Sequence, residues 1–422
     1  MIALVDCNSF FCSVEKVFHP GLDGKPVCVL SNNDGCIVAL TPEAKALGLR
    51  RGNPIFQVKD IVDAHHVTVF STNMQLYAAM SKRVNHILRS SIAHTEVYSI
   101  DESFCYLDGY EAYYNLEEYM RRVADKIKLY TDIPVSVGIA PSKTLAKMGS
   151  KFAKQYKGYR SVCTIDTEAK RRKALQLFDL SDVWGIGRHT LEKLNYLGIH
   201  TPLDFADKSA SWVKSYFHKP GYQTWLELNG EPCIDTAEVA RNQTICTSRS
   251  FGQMVNDLSS LKSSIATFAS SCANKLRGQN AAACVVTVFF SSNRFREDLE
   301  QYANSASLRF VTPTSDTMEI TKAALQLAEY LYRPGIWYKK SGVIVSEITS
   351  ISAVQHDLFD SISNRQARGV LMKTIDTLNH RYGVQTVQLA VVGEKQQPWK
   401  VKCEHRSPNY LTDINEIPII KV

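Results

Sequence analysis

The segment Tyr98-Ser-Ile-Asp-Glu-Ser-Phe-Cys-Tyr-Leu107 sets two adjacent carboxylates, Asp101 and Glu102, inside an apolar, β-prone run. Carboxylates seldom occupy such a context, because withdrawing them from water is costly unless cations or donors offset the loss. Taken alone, the segment fits two readings equally: a polar turn between strands, or an acidic edge that gathers cations. The start of the chain tips the balance, since Ile2-Ala-Leu-Val is a short buried-strand pattern that ends on Asp6 beside a turn. If the two strands are neighbours in one sheet, Asp6, Asp101 and Glu102 converge and offer oxygen ligands to hard divalent cations. A few carboxylates plus substrate phosphates suit Mg²⁺ better than calcium. Two Mg²⁺ ions about 3.5–4 Å apart would stabilise the attacking and leaving oxygens of an in-line phosphoryl transfer.

Around these carboxylates, strands and helices interleave. Val27–Leu30 and Cys36–Ala39 flank Asn32-Asn-Asp-Gly35 as a hairpin with an Asp-Gly turn signal. Pro42–Leu47 reads as a short helix stopped by Gly48. Helices are expected at Ser9–Phe18, Leu76–Leu88 and Leu116–Tyr130, and β structure at Glu96–Leu107 and Val135–Ile139. This is the texture of an α/β or α+β layer domain. After Asp166 come short helices and glycine turns, up to Asn229-Gly-Glu-Pro232. A further unit then shows strand, helix, strand, strand, helix, strand from Thr244 to Ile348, a ferredoxin-like order. Beyond Ser350 lies a polar tail with a helix over Asn364–His380.

Three other signals carry chemistry. Lys143, Lys147, Lys151 and Lys154 share one helical face, with Leu145, Met148 and Phe152 opposite. That face is either ordinary solvated surface or a surface turned toward phosphates. Asp182-Val-Trp-Gly-Ile-Gly-Arg188 feeds a helix closed by Gly198, with Thr201-Pro202 opening the next. Such a hairpin, with Gly185, Gly187, Arg188 and Lys193, is either a plain helix connection or a helix-hairpin-helix element whose backbone N–H groups hold DNA phosphates. Gln355-His-Asp-Leu358-Phe359 sets two large apolar residues in a polar stretch, either as a loop end or as a peptide anchor for a partner pocket.

Composition narrows the class. At 422 residues with 45% hydrophobic content, the chain has enough apolar surface for several packed cores. Its 49 Lys and Arg against 42 Asp and Glu leave +7, too mild to identify a partner by itself. Eleven scattered cysteines with no CxxC pair fit reduced thiols in a cytoplasm better than a disulfide or zinc scaffold. The apolar runs are far shorter than a membrane span, and the start does not read as a signal peptide.

Taken with Val5-Asp-Cys-Asn-Ser-Phe-Phe11, Glu43-Ala-Lys-Ala-Leu-Gly48, Lys143-Thr-Leu-Ala-Lys147, Arg249-Ser-Phe-Gly252 and Ser407-Pro-Asn-Tyr410, these motifs make the chain resemble the Y-family of translesion DNA polymerases over almost its whole length. The resemblance implies an α+β multidomain right hand: a ferredoxin-like palm (1–15 and 76–165), small fingers (16–75) and a helical helix-hairpin-helix thumb (166–236). A β-α-β-β-α-β little finger (240–350) and a C-terminal partner-binding tail (351–422) complete it. It implies low-fidelity, template-directed synthesis past damaged DNA in the SOS response. Metal ligands would be Asp6, Asp101, Glu102 and the Cys7 main-chain carbonyl, holding two Mg²⁺. Phe11 would be the aromatic steric gate against a ribose 2′-OH, with Phe10 beside it, and Lys154 would contact the triphosphate. Where many relatives have Tyr and Arg in the fingers helix, this chain has Pro42 and Lys45; Lys45 would take the arginine's part, and Pro42 cannot take the tyrosine's. Asn8 stands where many relatives have another Asp. Implied partners are primer-template DNA and dNTP, a sliding clamp at Gln355, Leu358 and Phe359, and, through the tail, a UmuD′-like dimer and RecA. A nucleotidyl cyclase-like enzyme on a similar palm and a non-catalytic DNA-repair scaffold are the alternatives.

Overall fold

The computed structural model describes residues 1–236, 242–355, 362, 364–393 and 397–417. The chain forms two compact units, Met1–Val239 with Glu404–Val422, and Ala240–Cys403. In chain order the first unit begins β1 (Ile2–Cys7), α1 (Phe10–Phe18), β2 (Val27–Leu30), β3 (Ile37–Leu40), α2 (Pro42–Ala46), α3 (Lys59–Ala64), β4 (Thr68–Ser71) and α4 (Met74–Ser91). It continues through β5 (His94–Val97), β6 (Glu102–Tyr106), α5 (Leu116–Thr131), β7 (Val135–Ala140), α6 (Lys143–Gln155) and β8 (Val162–Thr164). Five helices follow: α7 (Glu168–Leu177), α8 (Arg188–Tyr196), α9 (Pro202–Ala206), α10 (Ala210–Tyr216) and α11 (Lys219–Leu228).

One sheet of the first unit has the order β5-β6-β1-β7-β8. Strand β1 is antiparallel to both neighbours, and its register sets Asp6 opposite Glu102. Alternation along β1 then sorts the side chains onto two faces. Ala3, Val5 and Cys7 enter the core with Val84 of α4 and Ile127 of α5. Ile2, Leu4 and, from β6, Phe104 enter the core with Leu145, Met148 and Phe152 of α6. By the same period of two, Asp6 and Glu102 belong to the α6 side.

Helix α6 lies unusually close to the sheet because two glycines meet there. A Cβ on Gly138 would come within 2.0 Å of the Ala146 carbonyl oxygen and 2.1 Å of the Ser150 amide nitrogen, and one on Gly149 within 3.0 Å of the Gly138 Cα. The helix starts at Ser142, whose hydroxyl accepts from the Leu145 N–H. The second sheet, β3-β2-β4, contains the expected hairpin. Its left-handed residues are Asn33 and Asp34, while Gly35 is right-handed, so the turn is a short 3₁₀ segment rather than a tight Asp-Gly turn. On the other side of β2, β4 pairs in parallel.

The second unit runs β9 (Thr244–Val255), α12 (Leu258–Gly278), β10 (Ala281–Ser292), β11 (Ala303–Thr314), α13 (Thr317–Leu331), β12 (Tyr338–Ser350) and α14 (Arg365–Tyr382). The expected β-α-β-β-α-β order is present, closed as a sheet β11-β10-β12-β9 with every pairing antiparallel. The last strand runs two residues past the expected end of the unit, to Ser350. The polar tail is also packed. Asp376 of α14 bonds Arg277, Asp316 bonds Arg368, and Trp399 is 1% exposed against Phe268.

Candidate active site

The acidic edge assembles as the register requires. Asp6 lies across the ladder from Glu102, and the Cys7 amide donates to the Asp101 carbonyl at 2.9 Å. The carboxylates are not bare. Lys154 Nζ donates to Asp6 Oδ1 at 2.7 Å and Lys147 Nζ to Glu102 Oε1 at 2.7 Å. The Ser99 hydroxyl donates to Asp101 Oδ1 at 2.6 Å. Burial pushes the Asp6 carboxyl up from its ordinary range, and Asp101 adds to the rise, while Lys154 pulls it back. Cys7 is buried and its thiol is pushed far up by burial and by both aspartates, so it stays neutral.

Among the described residues no three His, Cys, Asp or Glu side chains are gathered so as to hold a metal ion unaided. Three carboxylates against two ammonium groups nonetheless leave an acidic excess, and Asp6 resists ionisation beside Asp101. Oxygen donors under mutual repulsion are the donor set a hard divalent cation relieves, once substrate phosphates draw the lysines away. The edge therefore fits such an ion. Asn8 does not extend the donor set, for its side-chain oxygen accepts from Ser136 at 2.9 Å.

The lysine stripe divides. Lys147 and Lys154 reach the edge, Lys151 pairs with Asp182, and Lys143 is buried against Glu96 at 3.0 Å and the Thr236 hydroxyl at 2.5 Å. A turned-in first lysine is invisible to helical spacing, since Glu96 lies on a different strand. Phe10 is buried, and Phe11, half-buried beside it, stacks on Tyr77 with centroids 4.5 Å apart and planes at 17°. Lys45 is exposed near the C-terminal end of α2, and Pro42 opens that helix under the Thr41 cap. Tyr77 was not singled out from sequence; a buried tyrosine on the apolar face of α4 carries no separate signal.

At the helical hairpin, Gly185 has φ +97°, and a Cβ there would come 2.3 Å from the Thr224 hydroxyl. Gly187 caps the N-terminus of α8, Arg188 is exposed and bonds Glu192 at 2.9 Å, and Lys193 donates to the Tyr216 carbonyl over the Phe217 ring. The next helix opens at Thr201 with a capping box. Gln355 is exposed two residues past a 3₁₀ turn, whereas Leu358 and Phe359 lie outside the described residues. No helix among the described residues is long and apolar enough to cross a membrane.

Carboxylates at the ends of adjacent antiparallel strands, backed by a lysine-bearing helix and followed by a helical hairpin and a β-α-β-β-α-β unit, make up a right-hand polymerase fold. A Y-family DNA polymerase chimera of Dbh and Dpo4 matches 83% of this chain and 100% of its own at a TM-score of 0.64 and 24% identity. An insertion ternary complex of Dbh DNA polymerase covers 83% and 100% at a TM-score of 0.52 and 23% identity. Residues 5–151 match the impB/mucB/samB family, residues 242–358 its C-terminal domain, and residues 370–420 a domain of unknown function. Protein UmuC of Salmonella typhimurium is 38% identical across all of both chains, and protein MucB of Escherichia coli 35% across all of both. A DNA polymerase IV from Acetivibrio thermocellus is 25% identical over 92% of this chain and 96% of its own. The chain belongs to the impB/mucB/samB family and has the fold of the Y-family DNA polymerases. Its relatives support a DNA-directed DNA polymerase of the translesion class with a divalent-metal requirement.

Proposed function

We propose that this polymerase extends a primer across damaged template at the β1–β6 edge, with Asp6, Asp101, Glu102 and the Cys7 main-chain carbonyl as ligands for two Mg²⁺ ions. The observation that carries the reading is the Asp6–Glu102 register with a lysine of α6 on each carboxylate. Held by these residues, such ions would supply Lewis acidity at the primer 3′-OH and at the departing pyrophosphate. The O3′–Pα bond would form as the bond from Pα to the pyrophosphate breaks, with the hydroxyl proton passing to solvent water.

The chain's own groups do the rest. Lys154 holds Asp6 before substrate arrives, and the triphosphate, with more charge than one carboxylate, competes for that ammonium group. Lys147 stands in the same relation to Glu102. Phe11, kept in place by its stack on Tyr77, closes the space a ribose 2′-OH requires. Phe10 lies beneath it, and exposed Lys45 reaches phosphate from the fingers. The free N–H groups at the start of α8, introduced by Gly185 and Gly187 and flanked by Arg188 and Lys193, suit the DNA backbone and read no bases.

Gln355, Leu358 and Phe359 would anchor a sliding clamp, and the tail would meet a UmuD′-like dimer and RecA. Primer extension across a defined lesion, with Mg²⁺ present or chelated and with the clamp or a UmuD′-like dimer added, tests the whole reading. Extension that persists without divalent metal would refute it.

A further inference from the structure

Glu15, on α1, is 0% exposed. Its Oε1 accepts from the Tyr77 hydroxyl at 2.6 Å and from the Ser407 hydroxyl at 2.9 Å. Its Oε2 has no hydrogen-bond partner among the described residues. Burial pushes the Glu15 carboxyl up, and the two hydroxyls and His19 pull it back. A carboxylate held this way costs stability, so packing alone gives no reason for it.

Its second donor comes from the far end of the chain. Residues 404–417 return to the first unit, alongside β4. The Ser71 amide donates to the His405 carbonyl at 3.0 Å, and the His405 amide to the Ser71 hydroxyl at 2.9 Å. Asn73, which caps α4, donates to the Ser407 carbonyl at 2.9 Å, and Tyr410 stacks on Phe18 at 4.6 Å. The same helix α4 presents Tyr77, 0% exposed, whose hydroxyl ends on Glu15 and whose ring lies flat on Phe11. A continuous line of contacts thus runs Ser407, Glu15, Tyr77, Phe11.

We propose that Ser407, Glu15 and Tyr77 are positioning residues that set the depth of the Phe11 ring, so that the C-terminal segment takes part in excluding ribonucleotides. This rests on the reading of Phe11 as the sugar gate. Fixing both the hydroxyl and the face of Tyr77 leaves its ring one orientation, and Phe11 packs on that face. Without the Ser407 hydroxyl, Glu15 is held at one point and the stack can tilt.

The test is the ratio of kcat/KM for ribonucleotides to that for deoxynucleotides, measured in the full chain for Ser407→Ala, Tyr77→Phe, Ser407→Thr and Phe11→Ala, with thermal unfolding as a fold check. Ser407→Ala and Tyr77→Phe are expected to raise the ratio roughly three- to tenfold, part of what a hydrogen bond to a charged group is worth. Ser407→Thr, which keeps the hydroxyl, is expected to hold the parental ratio. If Phe11→Ala raises the ratio and the other variants leave it at the parental value, whatever their melting temperatures, the relay is overturned and the gate stands. If Phe11→Ala leaves the ratio unchanged, the gate fails and the relay with it.

Discussion

Asp6 and Glu102 face each other across the β1–β6 ladder, and one helix supplies a lysine to each, Lys154 at 2.7 Å and Lys147 at 2.7 Å. Seven residues separate the two lysines, two turns of helix, so both ammonium groups leave α6 on the same side and meet carboxylates on neighbouring strands. The acidic edge is therefore preassembled with its own counter-charges.

The Asp101→Ala variant is expected to lose primer extension by about 10³-fold, the scale of removing a group that stabilises transition-state charge. Primer-template affinity in a binding titration should stay near the parental value, because a carboxylate offers no cation to the DNA phosphates. Undiminished extension would remove Asp101 from the reaction.

Asp6→Asn should abolish extension and stabilise the fold at neutral pH. The Asp6 carboxyl is raised by burial, so the folded chain favours its neutral form more than the unfolded chain does. The stability of that form is fully present below the unfolded-chain pKa and is lost as pH rises through the raised folded value. The asparagine variant escapes that loss, so its melting temperature should exceed the parent's at pH 7, and the gap should close toward pH 3. A lower melting temperature at pH 7 would contradict the buried-charge account.

Replacing Phe11 by Ala opens the space over Tyr77 and should relax discrimination against ribonucleotides by at least about tenfold, as expected when a pocket loses a bulky wall. Single-nucleotide incorporation with paired ribo- and deoxynucleotides measures it. Unchanged discrimination would take Phe11 out of the gate.

Gly138→Ala drives a methyl group into the backbone of α6 at Ala146 and Ser150. Neither atom is the end of a movable side chain, so the helix must shift, at a cost of about 3 kcal/mol in denaturant titrations. Extension should fall as well, because the shift carries Lys147 and Lys154 away from their carboxylates. A fully stable, fully active variant would show that the close approach is not required.

Truncating Leu358 and Phe359 to Ala together should weaken sliding-clamp binding by about tenfold or more while sparing distributive synthesis, since paired apolar anchors dominate such contacts. Clamp affinity equal to the parent's would reject this peptide.

Much of the fold was legible because its signals are local. Strand β1 and the β5–β6 hairpin announce themselves by apolar runs interrupted at Asp6, Asp101 and Glu102, and helix α6 by its opposed lysine and apolar faces. Glycines mark the helical hairpin, and the order of the second unit follows from alternating periods of two and 3.6. The end of β12 was less legible, since its pairing runs on through polar Thr349 and Ser350.

The amino-acid sequence by itself determined which residues are acidic, basic, aromatic or turn-forming, and hence the set from which a polymerase edge is made. Only the tertiary structure decided which of them meet. Sheet order brought Lys154 to Asp6, Lys147 to Glu102 and the neighbouring Lys143 to buried Glu96. The return of the chain end placed Ser407 on Glu15, 392 residues away. The reason is physical: spacing along a helix or strand reports which face a side chain shares, whereas the charge or hydroxyl it meets is set by strand pairing and by long-range closure, which leave no periodic trace.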